Sequence, residues 1–90
     1  MASLKEKQQT VFNHYGLANQ LIKLFEESDE LRDEFDHNGI FMGNDFLSEL
    51  ADLCNMCDQI KQHAGEERIT AIQHEKMDRQ LKRMEGDKNV

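Results

Sequence analysis

The sequence contains no proline, few β-branched residues and only two cysteines among its 90 residues. Leucine, glutamate, lysine, glutamine, methionine and alanine dominate instead, and this composition favours helices over strands. Two cysteines are too few for the disulfide scaffold of a small secreted protein. The composition therefore predicts an all-α fold that does not depend on disulfides.

The chain also lacks a long apolar run and an excess of positive charge. No stretch approaches the ~20 apolar residues of a membrane span, and the opening MASLKEKQQ has no apolar signal-peptide core. We therefore expect a cytoplasmic protein without a membrane partner. The formal net charge of −7 disfavours binding to DNA or RNA polymers, which requires phosphate-neutralising Lys and Arg. A small phosphorylated ligand fits better, because a divalent ion can bridge carboxylates to phosphate.

A chain of this size forms one small domain with little room for a core. Charged residues make up 32% of it and hydrophobic residues 38%. A lone copy should therefore have a thin core, and self-association is a common way for small chains to enlarge it. We expect a homodimer or homotetramer.

Apolar spacing and turn signals predict a four-helix bundle that spans residues 1–90 as a single domain. Gly16 and Gly65 mark breaks, and Asn38-Gly39 is a strong turn signal. The predicted elements are a short polar helix at 3–14, a helix at 17–35, a loop at 36–44, helices at 45–64 and 66–84, and a frayed tail at 85–90. We expect the loop residues Ile40, Phe41 and Met42 to pack onto the bundle.

Two acidic clusters lie on the second and third predicted helices. They form the pattern E-E-x-x-E, 18 intervening residues, and E-x-x-D. Residues three apart share one helix face, so two such helices packed together would bring four carboxylates to one place. Oxygen-only ligands suit Mg²⁺ or Mn²⁺, whereas a zinc site would usually include His or Cys. The members of this pattern are Glu26, Glu27, Glu30, Glu49 and Asp52.

Each motif also has an ordinary interpretation, because charged residues are common on solvated helix faces. Glu49 weighs against that interpretation in the acidic clusters. It falls inside the apolar arc of its helix, where an unneutralised carboxylate is costly. The last helix carries Lys76, Arg79 and Arg83 on one stripe, which offers donors for a polyphosphate.

Together these elements resemble the MazG-type all-α nucleoside triphosphate pyrophosphohydrolases, in particular their small, phage-like members. The resemblance covers roughly residues 14–84 and is carried by QLIKLFEESDEL, ELADLCNMCDQI and the distal EKMDRQLKRM. It implies a four-helix unit that dimerises or tetramerises and depends on Mg²⁺. The implied reaction cleaves a nucleoside or deoxynucleoside triphosphate to the monophosphate and pyrophosphate, in the host cytoplasm if a phage encodes the protein.

The resemblance also implies a role for each matching residue. Glu27, Glu30, Glu49 and Asp52 would bind the metal, and Glu26 would orient the attacking water or act as general base. The basic residues of the last helix would bind substrate phosphates. Candidates for further polar contacts with the substrate are Gln20 and Asn55.

Three alternatives remain at this stage. The bundle could be a non-catalytic interaction or regulatory module. The 34–45 segment could bind calcium, because it has glycine at the sixth position of an EF-hand-like loop. It lacks, however, the Asp that usually opens such a loop and the Glu that usually closes it. Cys54 and Cys57 form a C-x-x-C motif in mid-helix, where packing thiols are favoured over a redox or zinc site.

Overall fold

The structure, a computed structural model, describes residues 1–39 and 43–88. Four helices and no strand occur in these ranges, which confirms the predicted all-α helical bundle. The helices are α1 (Leu4–Tyr15), α2 (Leu17–Asn38), α3 (Asn44–Ala64) and α4 (Glu66–Lys88). None of them combines the length and apolarity needed to cross a bilayer.

Helix α1 begins and ends at well-formed caps. The Ser3 hydroxyl accepts the backbone N–H of Glu6 at 3.1 Å, and the Glu6 carboxylate accepts the backbone N–H of Ser3 at 3.3 Å. This reciprocal capping box satisfies two donors that have no partner inside the helix. At the other end, Gly16 alone joins α1 to α2, as its position in the sequence predicts.

Gly16 closes one helix and opens the next. Its N–H donates to the carbonyl of Phe12 at 2.8 Å, and its own carbonyl accepts the N–H of Gln20 at 3.1 Å. The residue has φ 84° and ψ 165°, a region of backbone conformation that is essentially restricted to glycine. The turn between α1 and α2 therefore depends on the absence of a side chain at this position.

Two predicted helix ends fall short of the observed ends. Helix α2 runs to Asn38 rather than to residue 35, because its last polar side chains bond within the helix. His37 Nδ1 donates to the carbonyl of Asp33 at 2.7 Å, and Asn38 Nδ2 donates to Glu34 Oε1 at 2.7 Å. Helix α4 runs to Lys88, so residues 85–88 are helical where a frayed tail was predicted. The predicted packing of Ile40, Phe41 and Met42 lies outside the described residues.

The chain divides into two compact units, Met1–Ile60 and Lys61–Val90. The interior of the first unit is polar. Gln20 Nε2 donates to Gln59 Oε1 at 2.8 Å, which joins α2 to α3. Gln8 Nε2 lies 3.0 Å from both Asn55 Oδ1 and Asp58 Oδ2, which joins α1 to α3. Hydrogen-bonded amides therefore hold the three helices together at positions that leucines would usually fill.

The apolar side chains are much less buried than in an ordinary core. Among the described residues, Met56 is the one hydrophobic side chain that is buried. Phe25 is 64% exposed and Phe35 48% exposed, although both are large aromatic side chains. In the second unit, Ile72, Met77, Leu81 and Met84 of α4 are all exposed. The predicted thin core of a lone copy is borne out, and the expected self-association stays a prediction.

Candidate metal centre

Three glutamates from two helices converge in the first unit. Glu27 and Glu30 come from α2, and Glu49 comes from α3. One carboxylate oxygen of each lies within 4.8 Å of the corresponding oxygens of the other two. We call this set the glutamate triad. The i, i+3 spacing places Glu27 and Glu30 on one face of α2, and the packing of α3 against that face supplies Glu49.

The members of the glutamate triad differ in their exposure to water. Glu27 is buried, with 5% of its surface exposed, Glu49 is half-buried and Glu30 is exposed. The Oε2 atoms of Glu27 and Glu49 are buried and have no hydrogen-bond partner. A buried carboxylate oxygen without a donor is costly. A cation bound between the two oxygens would remove that cost, so the donor set fits a hard divalent ion.

Electrostatic repulsion within the triad affects the protonation of Glu30. The negative charge of Glu27 is the largest cause that raises the pKa of Glu30 above its ordinary value. A proton shared with Glu27, partial loss of solvent and the presence of Glu49 raise this pKa further. Glu30 therefore resists ionisation beside its two acidic neighbours. This behaviour is expected where like charges share a site.

Lys23 is a neighbour of the triad that the sequence analysis missed. Its Nζ lies 3.0 Å from Glu27 Oε1 and 3.8 Å from Glu26 Oε2. The hydrogen bond to Glu27 and then the charge of Glu27 raise the pKa of Lys23. A Lys four residues before a Glu on one helix is the sequence signal that could have identified this pair. Lys23 supplies one counter-charge to the buried Glu27 and leaves its second oxygen unpaired.

The structure places the other two predicted acidic residues beside the triad and not inside it. Asp52 is exposed and lines a cavity of about 360 Å³ together with Lys23, Glu27 and Asn55. Glu26 has 57% of its side chain exposed, and it borders a separate cavity of about 470 Å³. Both residues are therefore close to Glu27 or Lys23, but they take no part in the three-way convergence.

The two candidate substrate contacts hold the interior together. Gln20 is buried and its amide nitrogen bonds to Gln59, while Asn55 accepts a hydrogen bond from Gln8. Both side chains also border cavities next to Lys23. Their observed role is structural, and contact with a substrate stays a prediction.

The predicted phosphate-binding residues belong to the second unit. Lys76, Arg79 and Arg83 are exposed on α4, and Arg79 Nη2 lies 3.0 Å from Glu75 Oε1. An exposed i, i+4 pair of this kind contributes little stability. Arg79 can therefore exchange its present partner for an anion at low cost.

The two motifs with competing interpretations do not form the sites they suggest. Cys54 and Cys57 are free thiols and both are exposed, so the expectation that they pack in the core is wrong for a single chain. Partial burial, followed by the nearby Cys54 and Asp58, raises the pKa of Cys57, which opposes the thiolate that redox or metal chemistry requires. In the 34–45 segment, residues 34–38 are helical, so the first five positions do not form the loop that an EF-hand requires.

Comparisons of the chain with protein-family profiles, with curated proteins and with solved structures find no match. The resemblance to the MazG-type enzymes therefore depends on the motifs of the sequence.

Proposed function

We propose that the protein is a Mg²⁺-dependent pyrophosphohydrolase of the MazG-like kind. Its reaction would add water to the α-phosphorus of a nucleoside or deoxynucleoside triphosphate and release the monophosphate and pyrophosphate. The observation that carries this proposal is the glutamate triad, in which Glu27 and Glu49 each hold a buried oxygen without a partner. Sites of this kind bind hard cations, and hard cations bind phosphates.

Glu27, Glu30 and Glu49 would hold the metal, and Asp52 would contribute a further carboxylate from the neighbouring cavity. When bound, Mg²⁺ supplies positive charge that offsets the phosphate oxygens and increases the acidity of water. Mn²⁺ has the same ligand preference and is a natural substitute. Glu26 is exposed, lies outside the triad and is 3.8 Å from Lys23, so its carboxylate would be accessible to orient the attacking water or to accept its proton.

The remaining charges would serve the triphosphate itself. Lys23 pairs with Glu27 at 3.0 Å, and an ammonium group there can also donate to a phosphate oxygen. The resemblance to the MazG-type enzymes also assigns the binding of substrate phosphates to Lys76, Arg79 and Arg83, whose positive charges would favour the departing pyrophosphate. We place the enzyme in the cytoplasm and expect it to act as a homodimer or homotetramer, because so much apolar surface is exposed in one copy.

The test is pyrophosphate release from each common NTP and dNTP in the presence of Mg²⁺, Mn²⁺ or EDTA. We expect metal-dependent turnover of at least one nucleotide and its loss in Glu49→Gln. Asp29→Asn is a matched control, because it removes one negative charge from an exposed position in the acidic cluster of α2 without changing the triad. If the folded protein turns over none of these nucleotides, the proposal fails.

A second function is favoured by one observation, the exposed apolar residues Ile72, Met77, Leu81 and Met84 of α4. They suit a non-catalytic helical module that binds another protein. In that case, Mg²⁺ would not alter the melting temperature, and Glu49→Ala would leave stability unchanged or improved whether or not Mg²⁺ is present. A melting-temperature rise with Mg²⁺ that Glu49→Ala abolishes would favour the enzyme.

A further inference from the structure

A second pocket in the first unit has a different chemical character from the glutamate triad. It measures about 470 Å³ and is formed by α1, α2 and Met56 of α3. Val11, Ile22 and Met56 give it apolar walls, Tyr15 adds an aromatic ring and Asn19 adds an amide. A few polar groups within apolar walls, at this volume, are typical of a site for a small organic ligand.

The pocket and the triad are joined by Lys23. This residue lines the pocket wall, and its ammonium group lies 3.0 Å from Glu27 Oε1. Glu26 lines the same wall. A ligand seated against Val11 and Tyr15 could therefore extend a charged group past Lys23 toward the carboxylates. The ligand that this arrangement suits has an apolar, planar end and an anionic end.

Two side chains are well placed for the planar end. The Tyr15 ring is in edge contact with His14, with centroids 4.6 Å apart and planes at 88°, and Tyr15 remains 55% exposed. A ring that is oriented by a neighbour and still open to solvent can stack on a nucleobase. Asn19 Nδ2 donates to the carbonyl of Tyr15 at 2.8 Å. This bond directs the amide and leaves Asn19 Oδ1 as an acceptor.

We propose that this pocket is a nucleoside subsite, in which Tyr15 stacks on the base and Asn19 Oδ1 accepts a hydrogen bond from a base amino or imino group. The inference rests on the proposed function for its relation to the triad. The other cavity beside Lys23, which Asp52 lines, has no aromatic residue among its described walls. It therefore offers no ring on which a base could stack.

The experiment measures nucleoside binding without phosphate and without metal, so that it does not depend on catalysis. The full-length ¹⁵N-labelled protein is titrated in EDTA with thymidine and with N3-methylthymidine, and with cytidine and its analogue that lacks the 4-amino group. We expect millimolar binding that shifts the Asn19 side-chain amide and the amides around Tyr15. The analogue without the donor should bind about tenfold more weakly, because it leaves the Asn19 oxygen unpaired.

Two variants and one control complete the test. Asn19→Ala should abolish the preference for the nucleoside that carries the hydrogen-bond donor. Tyr15→Leu should weaken the binding of every nucleoside roughly tenfold. Asn13→Ala is the matched control, because Asn13 is exposed on α1 and does not line the pocket. Circular dichroism checks that each variant is folded.

The outcomes separate the subsite from the enzyme. Nucleoside binding at Tyr15 and Asn19 without pyrophosphate release would retain the subsite and reject the enzyme. Pyrophosphate release with nucleoside shifts confined to other residues would retain the enzyme and overturn the subsite. The subsite is also overturned if no nucleoside shifts these resonances, or if Asn19→Ala keeps the preference.

Discussion

Neutralising Glu49 should stabilise the metal-free protein. In Glu49→Gln the carboxylate becomes an amide of nearly the same shape, so the charge repulsion from Glu27 is lost. One carboxylate oxygen of Glu27 and one of Glu49 lie within 4.8 Å of each other. At that distance the repulsion between two unit charges is about 3 kcal/mol at an effective dielectric constant of about 20 and about 1 kcal/mol in water. The new amide can also donate to the unpartnered oxygen of Glu27. For a domain of this size, we expect a rise in melting temperature of roughly 5–20 °C.

The assay is thermal unfolding followed by circular dichroism at pH 8 in EDTA, where the carboxylates are mostly ionised. Asp29→Asn provides the comparison, because it changes the net charge equally from an exposed position in the acidic cluster of α2. We expect its melting temperature to stay close to that of the unaltered protein.

Adding Mg²⁺ should narrow or reverse the difference in melting temperature between the two proteins. Binding at about 100 times the dissociation constant stabilises a folded protein by about 2.7 kcal/mol. The unaltered protein should gain that increment, and Glu49→Gln should gain much less. The reasoning is refuted if Glu49→Gln is no more stable than the unaltered protein in EDTA and responds equally to Mg²⁺.

Three further changes test other parts of the structure. Gly16→Ala should lower the free energy of unfolding by about 1–3 kcal/mol, because its φ of 84° and ψ of 165° suit glycine alone. Chemical denaturation measures this change. Gly86→Ala is the control and should be neutral or slightly stabilising, because Gly86 lies inside α4 with open space around it. Lys23→Met should lower the melting temperature in EDTA but increase the Mg²⁺-induced rise, because Glu27 loses its counter-charge; an unchanged rise would show that Lys23 does not compete with the metal. Because the folded pKa of Glu30 is raised above its ordinary 4.5, this residue favours folding while protonated, and metal-free stability should fall as pH rises from about that value through the raised pKa. A pH series of melting temperatures should flatten in Glu30→Gln, and an identical slope in both proteins would contradict this assignment.

The sequence predicted the helices well because their determinants are local. Gly16 and Gly65 lie where the apolar pattern is interrupted, and a positive φ at each one explains the break. The sequence pattern predicts the end of α2 too early, because Asn38-Gly39 is a strong turn signal and residues 36–44 are assigned to the loop that contains it. The side chains of His37 and Asn38 instead bond to groups four residues earlier in the helix, and periodicity does not report such bonds.

The site was harder to predict because it depends on how two helices approach each other. The spacing of Glu49 and Asp52 places both on one face of α3, yet only Glu49 joins the glutamate triad. Which of the two reaches Glu27 is set by the alignment of α3 against α2. That alignment is held by the Gln20–Gln59 pair, whose members are 39 residues apart in sequence. The residue pattern of a single helix contains no information on hydrogen-bonded pairs that join two helices.

The paired glutamines have a consequence for how the chain can vary. Apolar packing tolerates exchange among side chains of similar volume, but a buried amide that loses its partner keeps an unsatisfied polar group. Positions 20 and 59 should therefore change together, either to another complementary pair or to two apolar residues. A pair of leucines could preserve stability, yet it would no longer select one sliding position of α2 along α3. Without that selection, the distance between the Glu27 and Glu49 carboxylates would differ from one molecule to another. The same two glutamines would therefore determine how uniform the glutamate triad is across a population of molecules.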